Sequence, residues 1–437
     1  MPFTQNPPAR TWNNLEDDWA NLHPSWLGVF DPYVQLILGT ITPFDFTWQN
    51  MRSLWADVST SWETVLDFAL LDPPENDTSV DIASSAYSIS SSRGRNRDLQ
   101  RTNAGAIGAT LRNESRAFDP QADSPLNRFL RPRVPVTIKV DGFNTITGVI
   151  NDWDFTYDVG GQSVASITGA DAFTFFAQET AAGSAIAESS GARLNRVLDE
   201  LPVPFPADRR KIDDGNATFA AQQYEENALG YLQQIEESEG GLIFMTREGE
   251  VAFQQRLLQP AEEVLQFTDN GSGIAYENIE ITFGTDLLAN RVIVSSEEGE
   301  LVVADQASIE ANGVAELSID SLLTVGALEG LAQYLLFRFG TPEYRIAAVT
   351  VNLNSLDIEN RAKVLRLELG SQADVIFTPN RIGEPISIRN RITGISHDIS
   401  IEQHFVTFNF EALGFAFFRL DDETAGRLNN TDFVLGF

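Results

Sequence analysis

The side chains with ligand and general-base chemistry near neutral pH are three histidines, His23, His397 and His404. The last two stand seven positions apart in one predicted β segment. Alternation along a strand sends them to opposite faces, so they are not expected to share a metal. The chain has no cysteine, which excludes disulfides, thiolate nucleophiles and cysteine-bound zinc or iron–sulfur centres. Gly161-Gln162-Ser163-Val164-Ala165 lacks the second glycine of a nucleophile elbow and sits in a hairpin pattern with no helix behind it. Asp152 with Asp154, or Glu236 with Glu237, could be drawn as glycosidase carboxylates, but 62 acidic residues make such pairs uninformative. Gly105-Ala106-Ile107-Gly108 lacks the Lys-Ser/Thr of a phosphate loop, and no segment matches an EF-hand. The expectation is therefore a chain without catalytic, metal or cofactor sites.

One cluster does concentrate charge: Arg93-Gly94-Arg95-Asn96-Arg97-Asp98-Leu99-Gln100-Arg101, followed by Arg116 and Asp119. Guanidinium groups bind carboxylate or phosphate in bidentate fashion. The chain carries 62 acidic against 30 basic residues, a formal charge of -32, and its only lysines are Lys139, Lys211 and Lys363. Such a surface repels duplex nucleic acid. The cluster is therefore expected to meet carboxylates of a neighbouring subunit, with Arg93, Gly94, Arg95, Arg97, Arg101, Arg116 and Asp119 forming a subunit interface. On that reading, replacing Arg93, Arg95 and Arg97 with Ala blocks assembly and leaves the monomer folded. A plain solvated loop is the alternative, and a salty host environment is the other explanation for the acid excess.

The elements around these residues follow from periodicity. At 437 residues two to four domains are expected, and no apolar run is long enough to cross a bilayer. The N-terminus shows no secretory signal, so synthesis is expected to end in the producing cytoplasm. Trp12, Trp19 and Trp26, then Trp48, Trp55 and Trp62, repeat with heptad spacing and an aliphatic or Met residue three positions after each, a helical stripe. These six are expected to pack on the rest of the chain or on a partner, with sugar stacking as the sharper alternative. Asp72-Pro73-Pro74 closes this arm. The expected domains are 1-75, the tryptophan arm; 76-180, a β domain with period-two strands and an Asp141-Gly142 turn; 181-262, a small α+β module whose second helix, from Tyr224, stops at Gly240-Gly241; and 263-437, a second β domain with a C-terminal tail. The two β domains share an ordered series. Asn144, Ile146-Thr147-Gly148, Val149 and Asp152 recur as Asn390, Ile392-Thr393-Gly394, Ile395 and Asp398, and Val164 to Phe176 recur as Val406 to Phe418. Such pseudo-symmetry favours ring assembly.

Ser91-Ser92-Arg93-Gly94-Arg95, Ala104-Gly105 through Leu111-Arg112-Asn113, and Arg116 with Phe118-Asp119-Pro120 resemble minor tail or baseplate hub proteins of long-tailed, siphovirus-like bacteriophages. The tryptophan heptads are similar to TW-x-x-L repeats near the N-termini of some of these. The resemblance covers residues 80 to 418. It implies a mainly β fold with an α+β insertion, in which two related antiparallel β-barrel or sandwich domains of tail-tube or hub type flank a small helical module. It also implies a homotrimer around the tail axis at the virion tail tip, contacting the distal tail protein, the tape measure and tip or fibre proteins. DNA would pass transiently through an acidic lumen without stable binding, and the protein would be structural, not an enzyme, with no cofactor and no integral membrane segment. A carbohydrate-binding tail adhesin is the second reading, a tail-associated cell-wall hydrolase the third and a head protein the fourth.

Overall fold

The computed structural model describes residues 33–39 and 79–413, except 98, 123 and 257–263, together with two short strands at Ala416–Phe417 and Phe433–Val434. The six heptad tryptophans, Trp12 through Trp62, lie outside the described residues, as does the boundary near residue 75. Strands β1 (Val34–Gly39), β2 (Ser79–Asp81), β3 (Ala86–Gly94), β4 (Ala106–Arg112), β5 (Pro135–Val140), β6 (Phe143–Thr156) and β7 (Val164–Ala170) hydrogen-bond in the order β3-β4-β7-β6-β5-β1-β2. β1, which lies between the two tryptophan sets, alternates buried and half-buried side chains, and its Leu36 and Leu38 enter the β core. The predicted Asp141-Gly142 turn joins β5 to β6.

The module that follows contains α1 (Phe173–Phe176), β8 (Thr180–Ala185), β9 (Glu188–Ser189), α2 (Ser190–Glu200), β10 (Arg210–Ile212), β11 (Thr218–Phe219), β12 (Gln222–Asn227), α3 (Ala228–Glu239), β13 (Leu242–Met245) and β14 (Val251–Gln254). Ser189 and Asn227 cap α2 and α3 through side-chain oxygens, and Gly240 ends α3 in the left-handed region, as its position predicts. The helix expected to start at Tyr224 begins four residues later, because Gln222–Asn227 pairs with β8 instead. Backbone pairing there overrides the helical spacing of Tyr224 and Ala228.

The last part comprises β15 (Leu265–Thr268), β16 (Ile274–Ala275), β17 (Asn278–Thr282), β18 (Arg291–Ser296), β19 (Gly299–Ala304), α4 (Gln306–Asn312), β20 (Glu316–Asp320), α5 (Leu328–Phe339), β21 (Arg345–Asn352), α6 (Ile358–Arg366), β22 (Gln372–Phe377), β23 (Ile386–Ser400) and β24 (His404–Ala412). The sequence duplication is visible in the strands. The repeated segments form β6 and β23, then β7 and β24, each pair an antiparallel hairpin. β6 and β23 are long because each serves two partners in succession: β6 pairs β5 and then β7, while β23 pairs β22 along its first half and β3 along its second.

The mainly β fold with an α+β insertion is as expected, and that last pairing refines it. The described sheets are not closed into barrels; β3 and β23 join the two β units edge to edge in one 14-stranded sheet. Closure would require each unit to pair its own outer strands, and the edge of β3 is already satisfied by β23. One apolar core accordingly runs through both units, from Leu36 and Ile138 to Val375 and Phe408. A second core joins the α+β module to β18–β20 and α5, through Leu194, Leu232, Ile235, Val292, Leu331 and Leu335.

Candidate functional site

The arginine cluster sits where these parts meet. β3 ends at Gly94, opposite Gly394 of β23, and the Arg95 amide donates to the Thr393 carbonyl at 2.8 Å. A Cβ on Gly94 would lie 2.1 Å from that carbonyl oxygen, and Gly94 has a φ of +84°, so only glycine lets the two backbones approach this closely. From there the guanidinium groups turn inward. Arg93 is buried, with Nη1 donating to Glu368 at 2.6 Å and to the Met245 carbonyl at 3.1 Å. Arg247, in the β13–β14 turn, holds the same carboxylate through its Nε at 3.1 Å. Burial alone would raise the Glu368 carboxyl, but Arg93 and Arg247 outweigh it and hold it below the usual range.

Arg95 reaches the other way. Its Nη2 donates to Glu411 at 2.8 Å, and Glu236 of α3 lies 3.7 Å from its Nη1. Glu411 is buried in β24 and is also bonded by Arg391 at 2.7 Å and by Arg338 of α5, so three guanidinium groups converge on one carboxylate. Burial pushes Glu411 up, and the three arginines pull it well below the usual range. Glu236 is raised by burial, which Arg95 and the Thr102 hydroxyl only partly offset. Arg101 forms a bidentate pair with Glu237 at 2.7 and 2.9 Å, and Gln233 donates to the Thr102 carbonyl at 2.7 Å, so the loop is stapled along α3. Arg116 pairs locally with Asp119 at 2.9 Å, whose carboxylate also accepts from the Gln121 amide. Arg97 is exposed.

The structure thus brings Arg93, Arg95 and Arg101 to one junction, leaves Arg97 at the surface and places Arg116 and Asp119 in a separate turn. The carboxylates of the junction, Glu236, Glu237, Glu368 and Glu411, come from this same chain. Glu236 and Glu237 were visible in the sequence but indistinguishable among the other acids. Glu411 had a usable signal as the one carboxylate of β24, whereas Arg391 stands in β23 beside Arg389 and Asn390 and had none. With every carboxylate held against a guanidinium, the junction ties β3, β24, α3, α5 and the β13–β14 turn together.

The histidines depart from expectation. His397 Nδ1 and His404 Nε2 lie 3.0 Å apart, both buried, and the His404 amide donates to Asn354 Oδ1 at 2.8 Å. The six intervening positions span the β23–β24 turn, so alternation along a single strand does not apply, and the two rings meet diagonally across the hairpin. Burial pushes His397 down to about 3, aided by Arg93 and Arg247, and His404 well below its ordinary value, aided by His397 and Arg361. Both are neutral, one ring nitrogen donating and the other accepting. Among the described residues no group of three His, Cys, Asp or Glu side chains is placed to hold a metal.

The second feature is the sheet face opposite the core. Asp398, Ser90, Gly108, Thr168 and Asp152 are successive partners across β23, β3, β4, β7 and β6, and Ser400, Ser88, Thr110, Ser166 and Asp154 form the next row. Thr350, Thr407, Ser396, Ser92 and Ala106 form a third. Residues opposite each other in an antiparallel ladder share a face. These rows are made of small, mostly hydroxyl side chains with three exposed carboxylates and no lysine or arginine; Arg112, also exposed, stands on the same face of β4 one step beyond Thr110. The other face holds Ile89, Ile107, Ala109 and Ile167 in the core.

No family model and no curated protein matches this chain. Among solved structures it is similar to phage-type tail proteins. A tail protein from Neisseria meningitidis superimposes with a TM-score of 0.54 at 13% identity, covering 77% of this chain and 94% of that one. The 43 kDa tail protein of prophage MuSo2 from Shewanella oneidensis gives 0.51 at 16% identity, covering 77% and 94%. At these identities the likeness is one of fold, and the fold is that of tail proteins.

Proposed function

We propose that this chain is a structural protein of a bacteriophage tail, a baseplate hub or minor tail protein at the tail tip. Three copies surround the tail axis, close the tube, anchor tip or receptor-binding proteins, contact the distal tail protein and the tape measure, and let DNA pass. The observation that carries this reading is the three rows of Ser, Thr and Asp on one sheet face, which hold three carboxylates and no cation of their own and suit a channel wall that repels phosphate. The shared fold with tail proteins supports the same class. The charge-locked junction supports a rigid structural part in place of a catalyst, because its carboxylates are held against guanidinium groups. In an assembled ring, exposed Arg97 remains a candidate contact between subunits.

Cryo-electron microscopy of purified particles with symmetry left free tests this. Three copies ringing the axis with Asp152, Asp154 and Asp398 toward the lumen are expected. The same residues on the outer surface, or absence of the chain from particles, would overturn the reading. A variant reversing charge at all three (D152R, D154R, D398R) should still enter particles but slow DNA ejection, more at low salt than at high salt.

A further inference from the structure

The turn between β15 and β16 carries one of two Asn-Gly steps in the described chain, Asn270-Gly271; the other is Asn312-Gly313. Asn-Gly steps permit cyclisation, because the following residue has no side chain to block approach of its amide nitrogen to the asparagine Cγ. The two steps sit in opposite environments. Asn270 Oδ1 accepts two hydrogen bonds from Ser272, from the amide at 2.9 Å and from the hydroxyl at 2.7 Å. Two donors on that oxygen polarise the carboxamide and are in place to hold the negative charge that develops on it during nucleophilic addition. Asn270 and Gly271 are exposed, nothing lies within 4 Å of a Cβ built on Gly271, and among the described residues its N–H donates to no protein group. At the second step the Gly313 N–H is bonded to the Ile309 carbonyl at 2.9 Å, and the Asn312 carboxamide nitrogen donates to Ser308. Its nucleophile and its leaving group are both held in helical hydrogen bonds.

We propose that Asn270 is a self-modification site, at which the chain deamidates spontaneously through a succinimide. The Gly271 nitrogen, having lost its proton to water or hydroxide, bonds to Asn270 Cγ. The Cγ–Nδ2 bond breaks and the amide leaves as ammonia after taking up a proton. Water then opens the ring at either carbonyl, giving aspartate or isoaspartate. The reaction needs water and no other reagent. Its product matters to the fold because β15 and β16 are parallel neighbours joined only by residues 269–273, in register at Phe267↔Ile274 and Thr268↔Ala275. Isoaspartate inserts an extra backbone carbon into that short connection, and Ile274 is a buried core residue. Either product also sets a carboxylate beside Asp269, which accepts the Thr378 amide at 2.7 Å. Deamidation therefore loosens this end of the sheet as the protein ages.

The test is incubation of the folded full-length protein at mildly alkaline pH, followed by peptide mass spectrometry with isoaspartate detection. Asn270 should convert about tenfold faster than Asn312, the factor that about 1.4 kcal/mol of hydrogen bonding at the second step sets. Unfolding the chain in urea should bring the two rates together. The Ser272→Ala variant, which removes one donor to Oδ1, should slow Asn270 and leave Asn312 unchanged, and Asn270→Gln should abolish the signal. Equal rates in the folded protein, or faster conversion at Asn312, would overturn the proposal.

Discussion

Replacing Glu411 with Gln keeps the shape of the side chain and removes the one negative charge on which Arg95, Arg338 and Arg391 converge. Charge-assisted hydrogen bonds contribute about 1.5–3 kcal/mol each, and breaking a buried ion pair from one side costs about 3–5 kcal/mol because the partner is left charged and uncompensated. The three bonds are not additive, since Arg95 keeps Glu236 at 3.7 Å and Arg338 keeps the Ala412 carbonyl at 2.7 Å. A loss of about 4 kcal/mol is therefore expected, a large part of the roughly 5–15 kcal/mol that holds a domain. In scanning calorimetry this should lower the transition by roughly 8–16 °C. Urea titration followed by tryptophan fluorescence should show the same ordering of variants. Arg97→Ala is the internal comparison: the side chain is exposed, and its removal should change stability by less than about 0.5 kcal/mol. Arg95→Ala should resemble Glu411→Gln, so replacing Arg93, Arg95 and Arg97 together destabilises the monomer itself, contrary to what the sequence suggests. A Glu411→Gln protein within about 1 kcal/mol of wild type would refute the view that charge holds this junction together.

The histidine pair gives a pH dependence of defined sign. Both imidazoles are depressed in the folded chain, so below the ordinary value of 6.5 the unfolded chain binds two protons that the folded chain refuses. Their contribution is full above that pH and is lost as pH falls toward about 3, with a slope of up to about 2.7 kcal/mol per pH unit. Asp171, raised by burial to about 7, and Glu236, also raised, work in the opposite sense. The histidine share is therefore the slope difference between wild type and an H397Q/H404Q variant between pH 5 and 6.5, and equal slopes would refute it. Gly94→Ala should cost roughly 3 kcal/mol or more in denaturant titration, since the new methyl meets the Thr393 carbonyl. Gly142→Ala, at the same φ but with nothing within 4 Å, should cost only about 1–2 kcal/mol.

Local signals in the sequence were sufficient for the elements they govern. The Ile-Thr-Gly duplication, the Asp141-Gly142 turn and the Gly240 stop each rest on a few adjacent residues, and each is present in the structure. What was missed depends on residues far apart in the chain. Arg93 is 275 positions from Glu368, and Arg95 is 316 from Glu411. A run of arginines reads as surface chemistry until a strand from the other end of the chain covers it. The histidines failed for a related reason: spacing predicts faces only within one strand, and theirs crosses a turn.

The same long strand accounts for both the missed site and the open form of the sheet. β23 continues past the end of β22, and its second half pairs with β3, which joins the two expected barrel or sandwich units in one sheet. That pairing brings Gly94 against Gly394 and fixes where the backbone leaves β3, which decides that Arg93 and Arg95 point inward to Glu368 and Glu411. It also aligns Ser88, Ser90 and Ser92 with Ser400, Asp398 and Ser396, extending the hydroxyl and carboxylate rows across both halves of the duplication. The interior charge lock and the outward hydroxyl face are therefore two consequences of one register. A one-residue slip between β3 and β23 would turn Ile89 and Arg93 to solvent and carry the serine rows into the core.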